Sequence, residues 1–114
     1  MSMDDLQQLV GEARRLSGLI DAGVQALRQA AVEVAEAEHA YRLAKARAWH
    51  EVAEGLAGQR QADVDAACAD ARRTRDVAEA TRQAALEALR SRRSQLDALR
   101  SILSVSRSEM ELAR

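Results

Sequence analysis

The groups best able to do chemistry in this chain are two histidines, one cysteine and seventeen cationic side chains. His39 and His50 lie eleven residues apart. Neither has a second histidine three or four places away, the spacing at which one helix face offers two imidazoles to a metal. Glu36 and His39, three apart, make half of the carboxylate–histidine pattern of di-iron helical bundles, and no second half follows. Cys68 has no cysteine or histidine at ligand spacing and reads as a small core residue. Ser91, Ser94, Ser101, Ser104, Ser106 and Ser108 have no histidine near them in sequence to serve as a base, and read as solvated positions. The Gly55–Gly58 tetrapeptide GLAG has neither the length nor the lysine of a phosphate loop. The chain therefore reads as non-enzymatic, with no metal, no cofactor and no small-molecule substrate.

The arginines are the remaining candidates. Of the seventeen bases only Lys45 is a lysine. Between residues 82 and 107, Arg82, Arg90, Arg92, Arg93, Arg100 and Arg107 face only Glu87 and Asp97. Arg93, Arg100 and Arg107 recur every seventh residue; Arg82 stands eleven before Arg93, close to three turns, and Arg75 seven before Arg82. This spacing predicts one row of five arginines along a helix. Guanidinium forks suit phosphate, so the row could track a nucleic-acid backbone. The same row could instead flank a coiled-coil seam, its stems lying over apolar surface and its heads paired with acids. Glu33, Glu36 and Glu38 form an acidic band that either faces solvent or meets such a row on a neighbouring chain. The net charge of −1 excludes an overall attraction to nucleic acid, although residues 58–114 carry eleven bases against nine acids. Single-strand binders add aromatic platforms. Here Tyr41 and Trp49 are the only aromatic residues, Tyr41 at a heptad core position and Trp49 one place beyond one.

The elements that position these residues follow from periodicity. Proline, phenylalanine and asparagine are absent and alanine dominates the apolar count, which predicts an all-α chain. Ser2 with Asp4 and Asp5 is a helix start. A heptad then runs Leu6, Ala13, Ile20, Leu27, Val34, Tyr41, Ala48, with companions Leu9, Leu16, Gly23, Ala30, Ala37, Ala44. Gly11, Gly18 and Gly23 each cost about 1 kcal/mol in a helix interior and predict fraying or a break near 18–23. Gly55 and Gly58 mark the turn, with Gly55 as the residue that ends the first helix. A weaker alanine stripe follows, from Val64 and Cys68 through Ala71, Ala78 and Ala85, and passes into a leucine seam of Leu86, Leu89, Leu96, Leu99, Ile102 and Leu103.

The predicted fold is an elongated antiparallel helical hairpin in one domain, 1–114. Its helices cover about 3–53 and 60–111, with a turn at 54–59 and a break near 68–70 that would make 59–68 a short separate helix. Alanine buries little area at roughly 25 cal/mol per Å², so the hairpin should oligomerise as a coiled-coil bundle through the leucine seam. There is no basic leader followed by an apolar run and no stretch of 18 apolar residues, so neither a signal peptide nor a membrane span is expected. A lone cysteine fits a reducing cytoplasm.

One resemblance goes further. Tyr41-Arg42-Leu43-Ala44-Lys45-Ala46-Arg47-Ala48-Trp49, a glycine turn, Val64-Asp65, Arg75-Asp76-Val77-Ala78-Glu79 and Ala84 to Arg93 together resemble a family of small helical tailed-phage proteins described as UvsY-like recombination mediators. It covers about residues 38–105. The resemblance implies an oligomeric accessory factor in the host cytoplasm that binds single-stranded DNA and helps load a recombinase against the single-strand-binding protein. Tyr41, Lys45, Arg72, Arg75, Arg90, Arg92 and Arg93 would then contact DNA or partner. The chain also resembles secreted WXG-type hairpins in length, but Trp49-His50-Glu51 stands in place of Trp-x-Gly, six residues before the turn. The alternative to a DNA accessory factor is a structural or adaptor coiled coil that binds only protein, a host-targeting inhibitor included.

Overall fold

The structure, a computed structural model, describes residues 1–52 and 57–113. It is an all-α hairpin of three helices: α1 (Met3–Glu51), α2 (Ala57–Ala67) and α3 (Ala69–Leu112), with no strand among the described residues. Contacts gather it into two compact units, one of 1–26 with 85–114 and one of 27–84.

α1 starts as its sequence predicts. The Asp5 amide donates to the Ser2 hydroxyl at 3.1 Å, and the Ser2 amide donates back to the Asp5 carboxylate at 3.3 Å, so two otherwise unpaired donors are satisfied reciprocally. The helix then runs unbroken for 49 residues, through all three glycines. The expected break near Gly18–Gly23 does not form, and packing explains why at Gly23. This glycine is buried, and a Cβ there would lie 3.3 Å from Leu89 Cδ1 and 3.8 Å from Arg92 Nη1. Its lack of a side chain lets α3 approach closely, which offsets its weak helix propensity.

The predicted turn at 54–59 lies partly outside the described residues, as does Gly55, its expected helix-ending residue. Ala57, Gly58 and Gln59 already belong to α2, where Gln59 and Gln61 donate to Asp63 and Asp65 one turn on, at 3.1 and 2.9 Å. The short separate helix is present. Its junction with α3 is nevertheless close to continuous. Cys68, the one residue between them, donates its amide to the Val64 carbonyl at 3.1 Å and accepts from the Arg72 amide at 2.9 Å. The Cys68 thiol donates to the same Val64 carbonyl at 2.8 Å, and a carbonyl shared by two donors perturbs the turn without breaking it.

In each unit the α1 and α3 segments run antiparallel. In the first, Leu6, Leu9, Ala13, Leu16, Ile20 and Gly23 are buried or half-buried, alternating three and four apart; on α3 the same rhythm picks out Ala85, Leu89, Arg92, Leu96, Leu99, Leu103 and Ser106. In the second unit, Ala48, Val64 and Cys68 form a core closed by Tyr41, Ala44, Trp49 and Val52. Of the six seam residues read from sequence, Leu89 and Leu96 are buried within the chain itself, Leu86, Leu99 and Leu103 are half-buried and Ile102 is exposed. The two best leucines are thus consumed by the hairpin and are not free to hold a second chain.

Candidate nucleic-acid interface

The arginines divide according to their heptad position on α3. Arg75, Arg82 and Arg92 fall on the rhythm that faces α1, and all three are half-buried. Arg93, Arg100 and Arg107 fall one place beyond it and are exposed, as are Arg90 and Arg72. The row of five predicted from sequence is therefore two rows. Eleven residues make three turns of a straight helix. Against a partner that follows a 3.5-residue repeat, they overshoot by about 50°. Arg93 leaves the face that Arg82 occupies for this reason.

The inward arginines are committed to structure. The Arg75 guanidinium lies over the Tyr41 ring at 4.2 Å from its centroid, donates to Asp76 at 3.1 and 3.2 Å, and stands 3.9 Å from the Glu38 carboxylate. The Asp76 hydrogen bond does most to hold its pKa above the ordinary arginine value, and partial burial opposes it. Arg82 is paired with Glu79 on the same helix, which raises the arginine's pKa and holds the Glu79 carboxyl below the usual carboxylate range. Arg92 reaches toward Gly23.

Each aromatic ring is half-buried and has a guanidinium over it. Tyr41 is half-buried under Arg75. Trp49 packs against the Ala48, Val64 and Cys68 core, with the Arg60 guanidinium 5.4 Å from its ring centroid. Cation–π stacking on these rings uses the surface that a nucleobase would need. The sequence placed both rings but gave no sign of their cationic covers, because Arg60 and Arg75 are eleven and thirty-four residues distant and meet the rings only when the helices pair.

The outward arginines differ. The side chains of Arg90, Arg93, Arg100 and Arg107 make no ion pair or hydrogen bond among the described residues, and the same holds for the side chains of Lys45 and Arg72. Arg93, Arg100 and Arg107 lie about 10.5 Å apart along the helix. Beside them runs a shallow groove of about 440 Å³, lined by Ser17, Ile20, Asp21, Arg93, Leu96, Asp97 and Arg100. Asp21 and Asp97 temper its positive charge, and no spacing along the chain marks Asp21 as part of this groove. No group of three or more histidine, cysteine or carboxylate side chains that could hold a metal ion forms among the described residues, and no helix there is long and apolar enough to cross a membrane. His39 and His50 are both exposed.

The chain matches no protein-family model, no curated protein and no solved structure.

Proposed function

We propose that this chain is a non-enzymatic accessory protein that binds single-stranded DNA along the exposed edge of α3, in the manner of a recombination mediator. One observation carries the reading: Arg90, Arg93, Arg100 and Arg107 sit on one side of a helix, exposed and unpaired, in the unit of 1–26 and 85–114. Arg75 and Arg82, on the face toward α1, are by contrast paired with acids, Arg75 with Asp76 and Glu38 and Arg82 with Glu79 on its own helix. Contact is to phosphate rather than base, because both aromatic rings are covered, so sequence preference is weak and salt dependence strong.

The test is a salt titration of oligonucleotide binding. Each phosphate contact on a single strand contributes roughly 0.7 to the log–log slope. Replacing Arg93, Arg100 and Arg107 by alanine lowers that slope by about two units. Replacing Arg75 and Arg82 leaves the slope unchanged while lowering stability. No binding by the intact chain at about 50 mM salt refutes the proposal.

The protein-only adaptor is a second reading, and the covered rings favour it. It requires that the triple arginine variant retain full activity toward its protein partner and that oligonucleotide never binds.

A further inference from the structure

All of the chain's sulfur atoms but one border a single hollow. The three methionines are Met1, Met3 and Met110, and all three line a hollow of about 170 Å³ where the start of α1 meets the end of α3. It lies within the unit of 1–26 and 85–114. Core packing does not account for this gathering, because the three side chains remain 66%, 64% and 48% exposed. A methionine that fills a gap in a core is covered by it. One of the sulfurs is held in place. Ser106, only 5% exposed, donates its hydroxyl to Met1 Sδ at 3.6 Å. A thioether sulfur has two lone pairs, and the hydroxyl engages one of them, which leaves the other for a Lewis acid.

The chemistry of the thioether selects the ligand. Its sulfur is neutral, soft and polarisable, and it prefers a soft monovalent cation such as Cu(I) to Mg(II) or Ca(II), which take oxygen. We propose that Met1, Met3 and Met110 form a thioether site for Cu(I), with the three sulfurs as its ligands. Each methionine side chain turns about three bonds, so sulfurs that border one hollow converge on one ion with little rearrangement. Glu109 lines the same hollow, and its carboxylate offsets the charge that arrives. Binding leaves the oxidation state of the copper unchanged and draws the N-terminal residues onto the end of α3. The sequence expectation of no metal rested on the spacing of imidazole and thiol groups, and this site uses neither. His39, His50 and Cys68 all belong to the other unit, 27–84. The site is independent of the arginine edge and stands whether or not the chain binds DNA.

The full chain, labelled with carbon-13 at its methionine methyls and shown by intact mass to carry Met1, gives one NMR resonance for each of the three residues. It is titrated with Ag(I), a redox-inert probe with the same preference for sulfur, and then without oxygen with acetonitrile-stabilised Cu(I). All three resonances move together and saturate at one equivalent in Cys68→Ala. In the parent they saturate by the second equivalent at the latest, since Cys68 is the only competing thiol. Zn(II) moves none of them. A thioether has no proton to lose, so the Cu(I) affinity, measured by competition with a chromogenic chelator, is the same at about pH 5.5 and about pH 7, a range across which imidazole deprotonates. Met3→Leu and Met110→Leu conserve volume and keep the circular dichroism of the parent. Each lowers the affinity at least about tenfold, the least that losing even a ligand's outer-shell partner costs a metal site. His39→Ala with His50→Ala leaves it unchanged. The proposal is overturned if fewer than three resonances move, if the affinity follows the titration of imidazole, or if Met110→Leu binds as the parent does.

Discussion

The contact between Gly23 and Leu89 makes the assignment of the leucine seam to the hairpin open to measurement. Leu89 is 3% exposed, so Leu89→Ala removes a buried side chain and leaves a void, at a cost of about 2–4 kcal/mol. That is a large fraction of the stability of a chain this size, on the order of 5–15 kcal/mol. Gly23→Ala in the parent brings two opposed effects. Helix propensity favours alanine by about 1 kcal/mol, while the new Cβ meets Leu89 Cδ1 at 3.3 Å, close enough that the leucine must yield. The two nearly cancel. In the Leu89→Ala background the opposing methyl is gone, so Gly23→Ala keeps its full propensity gain and also fills part of the void. The double-mutant cycle therefore carries a coupling of about 1 kcal/mol or more, favouring the pair. Urea unfolding followed at 222 nm supplies the four stabilities, and the midpoints should not move with protein concentration. A coupling near zero, or midpoints that rise with concentration, would show that Leu89 packs against a second chain, and the intramolecular seam would be wrong.

Arg75→Ala uncovers the Tyr41 ring and removes the more distant of the two arginines beside Glu38, which keeps Arg42 at 3.2 Å, and so lowers the unfolding midpoint in the same assay; Arg75→Lys recovers only part of this, since an ammonium does not stack flat on the ring. If both variants match the parent, the stack contributes nothing. The Glu79 carboxyl, held low by its hydrogen bond from Arg82, should titrate by carbon-detected NMR below an ordinary glutamate. With the folded pKa depressed, its small contribution is present above the unfolded value and lost as pH falls through the folded one. Arg82→Gln should return the titration to the ordinary range, and an unchanged midpoint would place the cause elsewhere.

The heptads of Leu6–Ala48 and Leu86–Leu103 were legible from the chain because a leucine or alanine every three and four residues has one helical solution. So was the cap at Ser2, whose partners lie within one turn. These local features determine that the chain is helical, where its first helix begins and which faces are apolar. Tertiary structure alone decided which apolar face is satisfied within the chain and which is left over. Leu89 and Leu96 look no different in sequence from Ile102, yet the first two are buried and the third is exposed. The arginines carry the same lesson. Arg82 and Arg93 share a face on an isolated straight helix. Pairing with α1 imposes a 3.5-residue repeat that turns Arg82 inward and leaves Arg93 in water. Spacing along one helix is a local quantity, whereas burial depends on the surface that another helix brings to it.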